Sequence, residues 1–115
     1  MTDKIVVFVT AGSLRESKKI ARRLVESRLA ACVNITSPIR SIYRWQDKIE
    51  DAGEYVLIIK TRRDLFESVR AVVAKIHTYT TPEIISVPIV DGAADYLEWL
   101  DRSLVEEPEG DASPR

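Results

Sequence analysis

Four extended segments, separated by polar turns and helical segments, most constrain what this chain can fold into. They are residues 5–10, 30–45, 54–61 and 83–90. Residues 5–10 are a continuous β-branched and aromatic run, which is typical of a strand buried on both faces. The second segment bends at Ser37-Pro38, and the polar residues 46–53 predict the end of a hairpin. Pro88 has no N–H to donate, so the fourth strand is expected at a sheet edge or bulge.

Three helical segments accompany these strands. Ser13 and Glu16 have the spacing of a capping box, and apolar residues recur at helical intervals from there to Leu29. Asp64 is the predicted N-cap of a second amphipathic helix. Residues 93–104 predict a last, short helix.

The resulting order is β-α-β-β-α-β with one helix appended, which is the split βαβ arrangement. We therefore predict an α+β sandwich whose helices lie on one face of a mainly antiparallel sheet. A length of 115 residues favours one domain. We assign residues 1–105 to it. Residues 106–115 contain no large apolar side chain and are predicted to be a disordered acidic tail.

Charge and hydropathy exclude several classes of partner. The chain has 17 Lys and Arg against 18 Asp and Glu, so no basic excess is available for a phosphate backbone. No apolar run approaches the ~20 residues that a membrane span needs, and the N-terminus shows no signal-peptide pattern. A single cysteine, Cys32, cannot form an internal disulfide. These observations predict a soluble, cytoplasmic protein without nucleic-acid or membrane partners.

The second extended segment predicts self-association. Residues 30–45 are too long for two helices to cover, because a typical strand has about 5–6 residues. A protruding hairpin with Tyr43 and Trp45 on one face exposes aromatic surface and unpaired backbone groups. Pairing with further copies of the chain buries both, and symmetric homo-oligomers are the usual arrangement. Interfaces favour aromatic residues, so Tyr43, Trp45 and Trp99 are the candidate interface residues.

The patterns of ordinary enzymes are missing from the sequence. The four glycines are isolated and form no phosphate-binding loop, and there is neither paired-cysteine spacing nor a second histidine. A phosphatase of this fold would hold a phosphoryl group with Asn and Arg. Asn34 is present, but no phosphate-cradling loop follows the first strand. We predict that the protein is not an enzyme.

His77 is the candidate metal ligand. It is the only histidine, it lies in the polar loop after the second helix, and imidazole is a good borderline-soft ligand. In an oligomer each copy supplies His77 and Glu83, which together predict a weak divalent-ion site completed by water. A structural or solvated histidine is the alternative. Cys32 is expected to be a buried, inert side chain, with a copper-binding thiolate as its alternative.

Five motifs resemble one known family. In chain order they are residues 30–34 (AACVN), residues 41–45 (SIYRW), residues 57–61 (LIIKT), His77-x-Tyr79-x-x-Pro82-Glu83-Ile84 and Tyr96-Leu97-x-Trp99-Leu100. Together they span about residues 5–104 and resemble the CutA divalent-cation tolerance proteins. The resemblance implies a ferredoxin-like fold assembled as a homotrimer similar to the PII signalling proteins. In such trimers the long hairpin between the second and third strands pairs with a neighbouring subunit.

The resemblance also implies tolerance of divalent metals, copper especially, and a cytoplasmic location. His77 and Glu83 carry over as candidate ligands for Cu²⁺ or another divalent cation, and no other cofactor is implied. The family's copper binding has been associated with a cysteine at the end of the first strand, where this chain has Thr10. The family usually has His-Pro-Tyr where this chain has Thr78 between His77 and Tyr79.

A second function remains open beside the metal role. A PII-like trimeric sensor would bind a small anionic ligand in clefts between subunits. Four basic residues are the candidates to line such clefts: Arg40, Arg44, Lys60 and Arg62.

Overall fold

The computed structural model describes residues 1–106, in which five strands and three helices follow the predicted order. The strands are β1 (Lys4–Ala11), β2 (Cys32–Ile35), β3 (Ile39–Trp45), β4 (Lys48–Arg62) and β5 (Ile84–Pro88). The helices are α1 (Leu14–Glu26), α2 (Phe66–Ile76) and α3 (Ala94–Arg102), and a 3-10 turn at Arg63–Leu65 precedes α2. Apart from residue 106, the predicted tail lies outside the described residues. None of the described helices has the length and apolar content needed to cross a membrane.

Strand β4 is the centre of an antiparallel sheet. The order is β2-β4-β1-β5, and β3 pairs with the first half of β4. The bend predicted at Ser37-Pro38 is confirmed, because it separates β2 from β3 along this single partner strand. Thr36 bridges the break: its N–H donates to Val56 O at 3.0 Å, and its hydroxyl accepts from Val56 N at 3.1 Å. The edge position predicted from Pro88 is also confirmed, since β5 pairs with β1 alone.

The hairpin end predicted at residues 46–53 is confirmed in position, but it is shorter than predicted. The turn consists of Gln46 and Asp47, with φ of 50° and 64°, and the return strand begins at the next residue. Two-residue hairpin turns with positive φ match the twist of the flanking strands. The ladder with β3 then extends from Ile39 opposite Glu54 to the turn, so backbone pairing outweighs the polar composition of this segment.

The helices cover one face of the sheet. Alternate residues of β1 and β4 point into this core, where they meet α1 and α2. The fully buried large side chains are Val7, Val9, Ile20, Leu24, Leu57, Ile59, Leu65, Val69, Val73 and Leu100. Each is no more than 2% exposed, so this layer supplies the packing on which the single chain depends.

The opposite face of the sheet is apolar but has no covering layer in the single chain. Phe8 lies opposite Ile58 and Ile85, and Val6 lies opposite Val87. We call the six residues Val6, Phe8, Val56, Ile58, Ile85 and Val87 the open face. Val6 and Phe8 are only half-buried, so the prediction that residues 5–10 are buried on both faces is wrong for one chain. Their neighbours on β5 are more open, since Val87 is 43% exposed and Ile85 53%. No described helix or strand packs on this face.

Two further predictions concern helix starts. Ser13 caps α1 as expected, because its hydroxyl accepts from Glu16 N at 3.1 Å. Asp64 does not cap α2, which begins after Leu65 without any side-chain cap. Asp64 lies instead in the 3-10 turn and accepts a hydrogen bond from Arg62 Nε at 2.8 Å. A charge-assisted hydrogen bond to the Arg62 guanidinium is stronger than one to a backbone N–H, so the Asp64 carboxylate binds Arg62 and does not cap the helix.

Arg62, at the end of β4, ties the last helix to the sheet. Its guanidinium donates to Asp64, to Asp101 at 3.2 Å and to the carbonyls of Val105 and Glu106 at 2.8 and 3.0 Å. Burial opposes ionisation of Asp101, but the ion pairs with Arg62 and Lys4 hold its pKa below the usual range. The Arg62 side chain is 8% exposed, so these bonds are shielded from water.

We predict that Arg62→Met lowers the free energy of unfolding by about 2 kcal/mol, because it removes buried charge-assisted hydrogen bonds. Arg22→Met is the matched control, since Arg22 forms only an exposed pair with Glu26, and should change stability by less than about 0.5 kcal/mol. Urea midpoints at equal protomer concentration measure both variants. Equal effects of the two substitutions would contradict the assigned role.

Candidate functional site

A cleft opens between the β3 arm of the hairpin and the loop that follows α2. Its volume is about 570 Å³, within the range of small-ligand sites. The lining residues are Thr10, Ser41, Ile42, Tyr43, Trp45, Glu54, Thr78, Tyr79, Thr80, Thr81 and Glu83. They come from β1, the hairpin and the loop before β5. The fold therefore brings together segments that are far apart in the sequence.

His77 follows the last residue of α2, at the start of the loop where it was predicted. Its side chain nevertheless turns inward behind the cleft and has no exposed surface. Nε2 lies 2.7 Å from the carbonyl oxygen of Thr10 at the end of β1. Because a carbonyl only accepts, Nε2 carries the hydrogen in the neutral ring. Nδ1 then accepts from Tyr79 N at 3.1 Å.

Glu16 is the carboxylate that the fold places beside this histidine. Its Oε2 is buried, lies 3.3 Å from His77 Nδ1 and has no hydrogen-bond partner in the part of the chain that the structure describes. Its Oε1 accepts from the Thr78 hydroxyl at 3.0 Å. The Nδ1 lone pair accepts the Tyr79 N–H, so the Glu16 oxygen is a second acceptor beside the same edge of the ring. Two acceptors side by side favour a cation there, and such a cation would have to displace the Tyr79 N–H from Nδ1 to bind the ring.

Sequence reasoning missed the role of Glu16. The capping-box spacing assigned its side chain to the helix start, whereas only the Ser13 half of that motif forms. The partner that redirects it, His77, is distant in the sequence. No local pattern could have identified the pair.

Glu54 and Tyr79 form a hydrogen-bonded pair inside the cleft. Tyr79 Oη donates to Glu54 Oε2 at 2.8 Å, and Glu54 is 4% exposed. Burial first, and then the bond to Glu54, raise the pKa of Tyr79 to about 12. Gly12 makes room for this ring, since a Cβ there would stand 3.2 Å from Tyr79 Oη. Glu54 was predicted only as a strand residue, because its burial depends on Tyr79 across the cleft.

The other predicted site residues lie in different places. Glu83 is part of the cleft lining, whereas His77 is not, so the described carboxylate next to the ring is Glu16. Tyr43 and Trp45 line the cleft and are 40% and 42% exposed. Their interface role, and the pairing of His77 with Glu83 on a metal ion, stay predictions.

Trp99 and Cys32 lie outside the cleft lining. Trp99 is 40% exposed on α3 and packs against Tyr96, with ring centroids 5.5 Å apart. Cys32 is half-buried rather than buried, because β2 is an edge strand, and its Sγ lies 4.0 Å from Asn34 Oδ1. The same Asn34 oxygen accepts from Lys60 Nζ.

None of the four basic candidates is among the described residues that line the cleft. Arg62 belongs to the α3 anchor, and Arg40 pairs with Asp51 at 2.8 Å. The lining instead carries the carboxylates of Glu54 and Glu83. The electrostatics of this cleft, within one chain, therefore favour a cation over an anion.

The described residues contain no group of three or more His, Cys, Asp or Glu side chains that could hold a metal ion. One chain thus offers the pair His77 and Glu16, and carboxylates in the adjoining cleft.

Comparison with known proteins identifies the family of this chain. The model of the CutA1 divalent ion tolerance protein family matches residues 5–103.

The chain belongs to the CutA1 family. The divalent-cation tolerance protein CutA of Archaeoglobus fulgidus is 47% identical over 98 residues, which cover 85% of this chain and 95% of the relative. A solved structure of CutA from the same organism, described as periplasmic, superposes with a TM-score of 0.85 at 46% identity. It covers 87% of this CutA1-family chain and 97% of that one.

A longer relative shows that the domain also occurs within larger chains. Protein CutA, chloroplastic, of Arabidopsis thaliana is 46% identical over 99 residues, which are 86% of this chain and 54% of the relative. The names of these CutA1-family relatives refer to tolerance of divalent cations or to a compartment, and none refers to a reaction.

We predict that Tyr79→Phe lowers stability by about 1 kcal/mol at neutral pH, because Glu54 loses its phenol donor. The raised folded-state pKa of Tyr79 makes this contribution full below its ordinary value of 10.0 and lost as the pH rises through about 12. The stability difference between wild type and Tyr79→Phe should therefore shrink across that window. Urea unfolding at a series of pH values measures it, and a constant difference would contradict the assignment.

Proposed function

We propose that this protein is a homotrimeric divalent-cation tolerance protein that binds Cu²⁺ or another divalent cation and has no catalytic role. Family membership supports the general function, since relatives are named for divalent-cation tolerance. The observation that carries the metal role is the approach of Glu16 Oε2, which has no hydrogen-bond partner within residues 1–106, to 3.3 Å from His77 Nδ1. A metal ion at this point would take the place of the Tyr79 N–H that Nδ1 accepts in the single chain. We further propose a cytoplasmic location and a single domain over residues 1–105.

The proposed assembly is a ferredoxin-like fold in a PII-like trimer. Three features support it: the β-α-β-β-α-β order, the uncovered open face and the projecting hairpin. In the trimer the open faces pack together, and Tyr43, Trp45 and Trp99 lie at subunit contacts. Packing of the open faces would bury the second face of β1, whose apolar run is typical of a strand buried on both faces.

The residues present fit a divalent ion in part. An imidazole nitrogen and carboxylate oxygens suit Cu²⁺ and similar ions, and a cation would satisfy the orphaned Glu16 oxygen. We propose His77 and Glu83 as ligands, with Glu16 beside them and water or a neighbouring subunit completing the shell. Thr10 contributes a carbonyl that orients the ring, as second-shell acceptors do for metal-bound histidines. Cys32 is the less favoured alternative ligand.

The metal role predicts saturable Cu²⁺ binding to the metal-stripped protein, with whole-number sites per trimer in calorimetry. His77→Gln should abolish it, because the soft nitrogen ligand is lost, and Glu83→Gln should weaken it about tenfold or more. Glu26→Gln removes an exposed carboxylate of α1 and should leave binding unchanged. Circular dichroism verifies that each variant is folded.

Two results would contradict this assignment: no saturable binding by the wild type, or binding by His77→Gln that equals the wild type. Loss of binding in Cys32→Ser alone would move the site to the thiolate alternative.

The trimer predicts a light-scattering mass three times that of the 13.0 kDa chain. Val87→Glu should lower this mass, because it places a charge on the open face. Val25→Glu is a matched control, since Val25 and Val87 are both 43% exposed but Val25 lies on α1. A monomeric wild type, or equal dissociation by both substitutions, would refute the proposed interface.

A trimeric ligand sensor remains the second candidate, and the cleft is the observation that favours it. Its acidic lining does not suit the small anionic ligand expected for the PII-like alternative. A sensor built on this cleft would therefore respond to a different class of ligand.

A further inference from the structure

We propose that the cleft binds a small organic cation, an alkylammonium or guanidinium group held between aromatic walls and the carboxylates of Glu54 and Glu83. The inference concerns a ligand class other than that of the metal role, and the two sites share only Glu83. It does not require His77 to bind a metal ion. Shape, charge and wall chemistry each support it.

The charge of the cleft is uncompensated. Glu54 is 4% exposed, yet the described hydrogen bond to its side chain comes from a neutral phenol, Tyr79 Oη. Neither Glu54 nor Glu83 occurs in any ion pair of the described residues. A buried carboxylate is costly without a positive partner. No described lining residue is Lys or Arg, so a ligand must supply that charge.

Tyr79 does not compensate the charge of Glu54. Burial first, and then the hydrogen bond to Glu54, raise the pKa of Tyr79 to about 12, so the phenol stays a neutral donor. The described lining thus carries two carboxylates, Glu54 and Glu83, and no cationic side chain, and the field of such a cleft attracts cations.

The walls of the cleft match an organic cation. Tyr43 and Trp45 project from the same face of β3, and Tyr79 contributes a third ring from the loop after α2. The proposal requires that the sides of Tyr43 and Trp45 that line the cleft stay accessible while their outer edges contact a neighbouring subunit in the proposed trimer. Aromatic faces attract ammonium and guanidinium groups, with tryptophan the strongest, and the same rings cover an alkyl stem. The hydroxyls of Ser41, Thr80 and Thr81 offer acceptors for the N–H groups.

A bare metal ion is a poorer match for this cleft. Hard divalent cations take about six or more oxygen ligands, or water in place of some of them. The described residues contain no cluster of three metal-binding side chains, and aromatic rings supply no oxygen lone pairs of use to Mg²⁺ or Ca²⁺. An organic cation needs only a carboxylate and the rings. A volume of about 570 Å³ also exceeds what a single ion would occupy.

Calorimetry of the full-length, metal-free protein in the presence of EDTA tests the proposal. Putrescine and agmatine are the probes, and both should bind saturably. The neutral 1,4-butanediol and the dianion succinate are the controls, and neither should bind, because the first lacks charge and the second has the wrong sign. Binding of succinate, or of all four compounds alike, would overturn the proposed ligand class.

Variants locate the site and separate this proposal from the metal role. Glu54→Gln should weaken putrescine binding about tenfold or more, since it keeps the Tyr79 hydrogen bond but removes the charge. Trp45→Leu should weaken it as well while leaving Cu²⁺ binding unchanged. His77→Gln should abolish Cu²⁺ binding and leave putrescine binding unchanged. Glu26→Gln should leave the binding of both ligands unchanged.

Failure takes a distinct form for each proposal. If the wild type binds neither amine up to millimolar concentration, the cleft is filled by a neighbouring subunit or is not a cation site, and the inference is wrong whatever the Cu²⁺ result. Amine binding that survives both Glu54→Gln and Trp45→Leu also overturns it. Loss of Cu²⁺ binding alone bears only on the metal role.

Discussion

The structure depends on one uninterrupted ladder along β4. This strand, Lys48–Arg62, pairs with β3 over its first half and with β2 and β1 over its second. Its inward residues Leu57 and Ile59 form the middle of the core, while Arg62 at its end anchors the last helix. Glu54, between these halves, enters the cleft. A single strand therefore joins the core, the projecting hairpin and the site, and its register sets their relative positions.

The same ladder explains why the site lies where it does. The hairpin arm extends past the helical layer, and the end of β1 brings Thr10 to its base. Helix α2 ends there with His77, whose ring closes onto the Thr10 carbonyl, and α1 begins there with Glu16. Helix and strand ends leave backbone and side-chain polar groups unpaired, so they collect at one place. The arrangement concentrates negative charge beside aromatic rings, which links the metal and organic-cation proposals through a common field.

Much of the fold could be predicted because its signals are local. The β-branched run of β1, the Ser13 cap, the bend at Ser37-Pro38 and the edge position of Pro88 each rest on neighbouring residues. Residues 48–53 were misassigned to the hairpin end because their polarity suits both a turn and an exposed hairpin arm. Asp64 was misassigned because a cap pattern does not reveal that a nearby arginine claims the carboxylate. Whether a carboxylate binds a backbone N–H or a neighbouring arginine depends on how deeply each group is buried, and a local sequence pattern carries no information on burial.

The sequence by itself determined the order of elements, the α+β class and the family, whereas the metal role of His77 and the interface role of the hairpin aromatics stay predictions. Periodicity, chain-breaking residues and ordered motifs carry that information directly. Only the tertiary structure decided that His77 is buried beside Glu16, that Glu54 bonds to Tyr79, and that one apolar face of the sheet stays uncovered in a single chain. Glu54 and Tyr79 are 25 residues apart, and Thr10 and His77 are 67 apart. Contacts at such separations follow from how the sheet and helices pack, because it is packing that sets which polar groups lose water and must find partners.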